Sequence, residues 1–268
     1  GITYSILGTE LKISGTLSDV PSNSVSTYSV TPININTNCT GTAITGLINV
    51  NADGNLSITS SNANQTLCEG ESIEPIELTI GGGATDITIT SDSGDDVSWM
   101  RIVQNENSFV ITGTPDENVT SPKTYNYTII TTGSNCDEDT TSGVGTITVN
   151  PLPSLSYDAT SSGAINQSLR EGESIVDIIF ELTDGAQNAN VTDLPEGITY
   201  AISGTTLTIS GTLSDVSSNS VFTYTVAPVN INTNCTGTPI TGQISVYADG
   251  ELTLTSGNKD QTLCEGEA

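Results

Sequence analysis

The first 72 residues of the chain are repeated at its far end. Residues 1–72 align without a gap on residues 197–268, an offset of 196 residues, and 52 of the 72 aligned positions are identical. A copy of this length is a tandem repeat, and a fixed period indicates modules that follow one another along the chain. The repeat therefore constrains the fold more than any single motif does.

A weaker similarity at about half that spacing divides each copy into two related units. QTLCEGESI at residues 65–73 returns as QSLREGESI at residues 167–175. Two diverged types of unit, A and B, therefore alternate, and we expect both ends of the sequence to lie within repeats of a longer chain. The predicted domains are 1–52, the C-terminal half of a type A repeat; 53–150, a type B repeat; 151–249, a type A repeat; and 250–268, the first strand of the next type B repeat.

Short alternating runs separated by turn residues dominate each unit. In the type A repeat these runs lie at residues 174–182, 197–203, 206–213, 221–229 and 240–247. Gly, Asn, Asp, Ser or Pro separates them, and the sequence has no sustained apolar stripe of helical period. Several short strands per unit predict an all-β fold of tandem immunoglobulin-like β-sandwich domains arranged end to end.

A few aromatic residues mark the expected interior of the domains. Tyr28, Tyr127 and Tyr224 lie in the strand that is expected to run through the centre of each domain. We interpret them as core residues rather than as residues that stack on a ligand. Trp99, the only tryptophan, occurs in the type B repeat alone and is interpreted as a packing residue as well.

Charge and residue content exclude several classes of function. The chain has 31 acidic and 5 basic residues, no histidine and a net charge of −26. Nucleic acids and anionic membrane surfaces would repel such a chain, and no apolar stretch is long enough to span a membrane. Without histidine, Ser-His-Asp and Cys-His catalytic arrangements are absent. We therefore predict that the chain is not an enzyme.

Acidic turns leave structural calcium as the one possible cofactor. Calcium takes about six to eight oxygen ligands. Asp92, Asp95 and Asp96 lie together in one loop, and further acidic turns lie at residues 116–117 and 137–139. None of these turns has the spacing of a DxDxDG loop, so an ordinary solvated loop is the alternative interpretation.

Several motifs together carry a resemblance to a known class of repeat. CEGESI, VITGTP, KTYNYTIITTGSNC and GITYAISGTTLTISGTL resemble the PKD-like and immunoglobulin-like repeats of very large surface proteins of Bacteroidota, including gliding-motility adhesins exported by the type IX secretion system. The similarity covers essentially the whole chain. It implies an extracellular, cell-surface stalk or filament without catalytic residues. DTT at residues 139–141 resembles the O-glycosylation site of these bacteria, which makes Thr140 a candidate acceptor.

The five cysteines recur with the repeat. Cys39 aligns with Cys235, and Cys68 aligns with Cys264. An odd number of cysteines in an oxidised protein leaves at least one thiol without a partner in the same chain.

Two disulfide pairings are open at this point. The resemblance implies a disulfide between Cys68 and Cys136 inside the type B domain. Cys235 would then be single, because Arg170 stands in its partner's place. The alternative pairs Cys39 with Cys68 and Cys235 with Cys264 at the A to B junctions, and leaves Cys136 single.

A nearly identical copy at a fixed spacing indicates a function that depends on the number of domains. We expect a structural stalk or filament region of a large extracellular adhesin, which spaces a binding tip from the cell or forms a motility or adhesion fibre. The expected partners are neighbouring repeats, other copies in a filament, and surface glycans or proteins bound by regions outside this sequence. The alternative is a glycan- or protein-binding immunoglobulin-like module.

Overall fold

The computed structural model describes residues 1–91, 93–115, 118–140, 143–160, 162–255, 257, 260, 262, 264 and 265. Every regular element in these ranges is a β-strand, as the abundance of Thr, Ile and Val favours. Within the same ranges there is no helix with the length and apolar character needed to cross a membrane. Contacts divide the chain into two units, Gly1–Pro151 and Leu152–Ala268.

The first part of unit 1 forms two small sheets. Its strands are β1 (Ile2–Leu7), β2 (Glu10–Gly15), β3 (Ser24–Val30) and β4 (Ile44–Val50). Strand β1 pairs only with β2, and β3 pairs only with β4, both in antiparallel register. Residues 1–50 therefore hold two pairs of strands and no larger sheet.

The second part of unit 1 is a complete β-sandwich. Its strands are β5 (Gly54–Ile58), β6 (Asn64–Cys68), β7 (Ile76–Gly82), β8 (Asp86–Thr90), β9 (Arg101–Asn105), β10 (Ser108–Thr112), β11 (Lys123–Thr132) and β12 (Gly143–Asn150). One sheet has the order β5-β7-β10-β9, and the other has the order β6-β12-β11-β8. The first strand of the domain is divided between the sheets, since β5 pairs antiparallel with β7 while β6 pairs parallel with β12.

Unit 2 repeats this architecture. Its strands are β13 (Ser154–Tyr157), β14 (Asn166–Arg170), β15 (Ile178–Thr183), β16 (Asn188–Thr192), β17 (Ile198–Ser203), β18 (Thr206–Gly211), β19 (Ser220–Val229) and β20 (Ile240–Tyr247). The sheet orders are β13-β15-β18-β17 and β14-β20-β19-β16. Both sandwiches have the strand order of an immunoglobulin-like fold, which confirms the predicted fold class. Beyond Tyr247, the described residues form no strand.

Each sandwich encloses its own apolar core. The first core contains Phe109, Tyr125 and Tyr127, and the second contains Phe180 and Tyr224. Alternate residues of the strands face inward, as the period of two requires. Each complete sandwich is therefore stabilised by its own interior.

The aromatic residues that were predicted to pack in the core differ in their burial. Tyr127 and Tyr224 are buried, as predicted. Trp99 is also buried and makes an edge-to-face contact with Tyr125, with ring centroids 5.5 Å apart. Tyr28 is 38% exposed, so the prediction that it is a core residue is wrong. It lies in β3, whose two-stranded sheet has no second set of strands to cover the ring.

A tyrosine and a glycine stand opposite each other in both sandwiches. Tyr127 pairs with Gly145 across β11 and β12, and Tyr224 pairs with Gly242 across β19 and β20. The Tyr224 hydroxyl donates a hydrogen bond of 2.9 Å to the Ile165 carbonyl, which ties β19 to the segment between β13 and β14. A Cβ atom on Gly242 would lie 2.3 Å from the Tyr224 hydroxyl oxygen, so the ring occupies the space that a side chain would need. Burial raises the pKa of Tyr224 to about 12.

Candidate functional surfaces

The acidic loop before Trp99 uses its described carboxylates in local contacts. Asp95 accepts a hydrogen bond of 2.5 Å from the Ser93 hydroxyl and lies 3.9 Å from the Lys123 ammonium. Asp96 accepts a hydrogen bond of 2.9 Å from the Ser98 backbone N–H. The hydrogen bond from that N–H, and then the one from the Ser98 hydroxyl, lower the pKa of Asp96.

Asp92, the remaining residue of the predicted calcium site, lies outside the described residues, as do residues 116 and 117. In the described part of the chain, no three acidic, cysteine or histidine side chains are grouped so that they could hold a metal ion. Asp139, in another acidic turn, accepts a hydrogen bond of 3.2 Å from the Leu56 N–H and so fastens its loop to β5. Structural calcium stays a prediction.

The candidate glycosylation site is on the surface. Thr140 is exposed and follows Asp139 in the loop between β11 and β12. The residue is thus accessible to solvent, as a modified residue needs to be. Thr140 stays a predicted acceptor.

The structure assigns the disulfide-bonded cysteines differently from both predicted pairings. Cys68 and Cys235 are disulfide-bonded. Cys136 carries a free, exposed thiol, and its Sγ lies 3.5 Å from the Asn51 carbonyl oxygen. The predicted Cys68–Cys136 disulfide is therefore wrong. Cys39 also has a free thiol, so the alternative Cys39–Cys68 pairing is wrong as well.

Strand geometry explains why Cys68 and Cys136 do not meet. Cys68 lies opposite Asn150, at the end of β12, whereas Cys136 lies in the loop that precedes β12. Strand β12 has eight residues and so spans about 25 Å at about 3.3 Å per residue. A disulfide needs Cα atoms within about 7 Å of each other. The spacing of cysteines in sequence does not reveal that they lie at opposite ends of a strand.

A polar groove of about 640 Å³ lies beside β6. Its wall includes Asn64 and Gln65. The Gln65 amide group donates to the carbonyls of Asn62 and Glu74, both at 2.9 Å, and accepts from the Glu74 N–H. The Asn64 side chain accepts from the Thr146 N–H at 2.9 Å. These polar groups hold the strand edge together, so the groove has a structural role.

Side chains of the second sandwich form hydrogen bonds with the backbone of the segment that follows β20. The Glu171 carboxylate accepts hydrogen bonds of 2.7 Å from the Val216 N–H and 2.9 Å from the Asp249 N–H. These two bonds lower the pKa of Glu171. Asn219 accepts a hydrogen bond of 3.0 Å from the Ala248 N–H. The exit of the module therefore has a fixed conformation.

Residues 1–50 expose a set of apolar side chains that we name the open face. Its members, each between 36% and 41% exposed, are Ile2, Leu11, Ile13, Leu17 and Tyr28. The residues that align with them in unit 2 are all buried, namely Ile198, Leu207, Ile209, Leu213 and Tyr224. Sequence reasoning missed this surface because the same pattern is interior in the complete copy.

Comparison with known proteins concerns the fold alone. No family model and no curated protein matches the chain. The I-band fragment I67–I69 of titin is similar at 12% identity, with a TM-score of 0.42, over 73% of this chain and 65% of that chain. The titin domains Z1Z2, solved with telethonin, are similar at 12% identity, with a TM-score of 0.30, over 74% of this chain and 98% of that chain.

A third similarity is to an enzyme chain. The endo-fucoidan hydrolase MfFcnA4 of glycoside hydrolase family 107 is similar at 13% identity, with a TM-score of 0.27, over 94% of this chain and 37% of that chain. The immunoglobulin-like assignment rests on the strand order of the two sandwiches. The chain thus contains tandem immunoglobulin-like β-sandwich domains.

Proposed function

We propose that the chain is a structural repeat segment of a large extracellular surface adhesin or filament, of the PKD-like and immunoglobulin-like type found in Bacteroidota. The observation that carries this proposal is the repeat of one module after 196 residues. A function confined to one unique site would not need a second copy of nearly the same sequence. A stalk or fibre gains reach with each added module.

The independence of each core supports this proposal. The apolar clusters of the two sandwiches are separate, and each closes within about one repeat unit. Adding a further module therefore requires no change in the modules already present. The bonds from Glu171 and Asn219 to residues 248–249 supply a defined exit for the next segment of chain.

The chemistry of the chain supports an extracellular, cell-surface location. Disulfides such as those of Cys68 and Cys235 persist mainly in oxidising compartments. The net charge of −26 makes copies of the chain repel one another, which favours solubility of a long polymer of domains.

Small-angle X-ray scattering tests the proposal on chains that carry one, two and three copies of residues 53–248. A stalk predicts that the maximum particle dimension increases by the same step with each copy. Particles that grow only with the cube root of their mass would contradict the proposal, since that is the behaviour of a compact body.

One observation favours the alternative, a glycan- or protein-binding module. The loop sequence INTNCTGT is identical at residues 35–42 and 231–238, and Ile231 is 57% exposed within it. An exposed apolar side chain in an unchanged loop could contact a partner. Glycan arrays and pull-down with the full chain test this alternative, with Ile231→Ser and Ile35→Ser combined as the control. Binding that survives the double change would remove the loop as its cause.

A further inference from the structure

Strand β17 lies at the edge of a sheet in the complete second sandwich. It pairs with β18 on one side, and no other strand in the described part of the chain pairs with its second edge. The Ile198 N–H donates to the Pro195 carbonyl at 3.1 Å, not to β18. Antiparallel strands direct alternate residues toward the partner strand and away from it. The backbone groups of Tyr200 and Ile202 therefore also point to the free edge.

The equivalent edge strand of the type B domain, β9, has features that discourage the addition of another strand. In the cross-strand pairing, Arg101 of β9 occupies the place that Thr199 has in β17. The Gln104 amide donates to the carbonyls of Thr85 and Glu106, both at 3.2 Å. Charged side chains on an edge strand oppose pairing with another chain. Strand β9 is therefore a protected edge.

The hairpin of β17 and β18 is uncharged. Residues 197–214, GITYAISGTTLTISGTLS, contain no acidic or basic side chain, although the net charge of the chain is −26. Tyr200 is 42% exposed, and its neighbours Thr199 and Ala201 are exposed as well. An exposed edge strand without charge is a site for strand addition. Strand β17 thus differs from β9 in the feature that decides whether an edge is protected.

The charge of the chain indicates which partner can pair with β17. Two copies of a chain with a net charge of −26 repel each other over most of their surfaces, and the repulsion is weakest where both surfaces are uncharged. A charged partner strand would find no opposite charge on residues 197–214. A neutral strand is therefore favoured, and β17 of a second copy is such a strand.

The sequence of β17 is also complementary to itself in an antiparallel arrangement. When Tyr200 lies opposite Tyr200 of a second copy, Ile198 lies opposite Ile202. In the same register Thr199 lies opposite Ala201. Large apolar side chains thus meet large apolar ones, and small side chains meet small ones. The backbone N–H and C=O of Tyr200 face the free edge, so each copy can donate to the other and accept from it.

This register keeps acidic side chains of the two copies apart. Glu196, the carboxylate that precedes the strand, falls opposite Gly204 of the second copy. The four strands of the sheet contain one charged residue, Glu181. It lies on β15, two strands from β17 and so about 10 Å away. Like charges are therefore not directly opposite each other, which is the arrangement that destabilises a sheet.

We propose that β17 is a lateral contact between two copies of the chain, which pair edge to edge in antiparallel orientation about Tyr200. The contact is isologous, because the same strand serves both partners. It joins the four-stranded sheets of the two copies through their backbones. This inference rests on the proposed function as a filament segment and names the surface at which neighbouring filaments associate.

Sedimentation equilibrium of the full chain, with its exposed thiols alkylated, tests the proposal. The chain should form dimers, and their affinity should rise with ionic strength because salt screens the repulsion between acidic surfaces. Hydrogen exchange should show a gain of protection on association at the amides of Tyr200 and Ile202. A chain that stays monomeric at millimolar concentration, or dimers that do not protect these two amides, would overturn the proposal.

Two substitutions of Tyr200 separate the backbone contact from the contribution of the ring. Tyr200→Asn removes the ring and keeps the N–H that faces the free edge. Tyr200→Pro removes the ring and that N–H, and proline is tolerated at an edge position whose N–H faces solvent. The proline variant should therefore dimerise at least about tenfold more weakly than the asparagine variant. Equal affinities of the two variants would mean that β17 does not pair through its backbone.

A pair of charge variants tests the two-fold register. Tyr200→Asp places two carboxylates opposite each other and should dimerise about two- to fivefold more weakly than Tyr200→Asn. Mixed with Tyr200→Lys, it should form a heterodimer that is tighter than either homodimer. The matched control is Ile102→Asp with Ile102→Lys on β9, which should leave the association of the chain unchanged. A mixture no tighter than its components, or the same response at Ile102, would overturn the proposal.

The lateral contact and the proposed stalk can fail separately. The increase of particle length with copy number can be measured on the Tyr200→Asp chain, which does not need the contact. A constant step in this variant, together with a monomeric wild type, would remove the lateral contact and leave the stalk. Dimers through β17 without a constant step would support the contact and contradict the stalk.

Discussion

Residues 1–50 and 197–246 have nearly the same sequence but different environments. Leu11 is 39% exposed whereas Leu207 is 0% exposed, and Tyr28 is 38% exposed whereas Tyr224 is 0% exposed. The strands within each region pair in the same register, from Ile2 opposite Gly15 to Ile198 opposite Gly211. The hairpins are therefore encoded locally, whereas the core exists only where β13 to β16 are present. Local sequence specifies the strands, and the complete module specifies their burial.

The largest expected difference between the two regions is in the chemical reactivity of their aligned cysteines. Cys39 is exposed and free, whereas Cys235 is 0% exposed and disulfide-bonded. Iodoacetamide should label Cys39 and Cys136 in the native chain, and should label Cys68 and Cys235 only after denaturation and reduction. Mass spectrometry of the labelled peptides provides the measurement. Labelling of Cys235 without reductant would contradict the assignment.

A matched pair of core truncations should differ by several kcal/mol. Leu207→Ala removes a fully buried side chain and should lower the free energy of unfolding of the second sandwich by about 2–5 kcal/mol. Leu11→Ala removes the aligned side chain from the open face and should cost less than about 1 kcal/mol. Urea unfolding followed by hydrogen exchange in each region measures both.

Trp99 fluorescence supplies the control for these truncations. Trp99 lies in the sandwich of unit 1, so its unfolding transition should be the same in the wild type and in both variants. Equal losses of stability for Leu11→Ala and Leu207→Ala would mean that the two regions have equivalent cores, and would break the comparison.

Substitution of the glycine opposite the tyrosine should also destabilise the second sandwich more than residues 1–50. The difference should be smaller than for the leucine substitutions. A Cβ on Gly242 would meet the Tyr224 ring and the backbone carbonyl of Ile165 at 2.6 Å, so Gly242→Ala should cost about 1–3 kcal/mol. The three atoms nearest to a Cβ on Gly46 all belong to Tyr28, whose half-exposed ring is able to move aside. Thermal unfolding should therefore respond to Gly242→Ala and hardly to Gly46→Ala. A similar shift for both would contradict the packing described.

The smallest expected effect is a pH dependence at the exit of the second sandwich. Two backbone N–H groups lower the pKa of Glu171 in the folded state below its ordinary value of 4.5. Its ionised form therefore stabilises the fold above that pH, and the stabilisation is lost as the pH falls through the folded-state pKa.

Glu171→Gln tests this pH dependence. The variant should be less stable than the wild type at neutral pH, and the difference should shrink below the ordinary carboxyl range. Glu251→Gln removes the same charge from an exposed position and serves as the control. A difference between Glu171→Gln and wild type that stays constant from pH 7 to strongly acidic conditions would contradict the assignment.

Much of the fold follows from the pattern of the sequence. The alternating runs at residues 197–203, 206–213 and 240–247 correspond to β17, β18 and β20. Their side chains alternate between core and solvent, so a period of two suffices to find them. The division of the first strand into β13 and β14 could not be predicted, because alternation does not tell which of two sheets a strand joins.

The disulfide pairing and the exposure of the open face could not be predicted from the sequence, for a different reason. The resemblance suggested Cys68–Cys136, but the two residues are separated by the length of β12. Likewise, nothing in the local sequence of Tyr28 distinguishes it from Tyr224. Burial depends on strands far away in the chain, and the distance between side chains depends on which end of a strand each occupies.

Hydrogen exchange on the unmodified chain tests the central claim most directly. Residues 1–50 and 197–246 have nearly the same intrinsic exchange rates because their sequences nearly match. We predict that the amides of β18 and β19 exchange at least about 1,000-fold more slowly than those of β2 and β3, since only the former lie in a closed sandwich. Equal protection of the two regions would contradict the claim that the four-stranded sheets of the second sandwich give residues 197–246 a core that residues 1–50 lack.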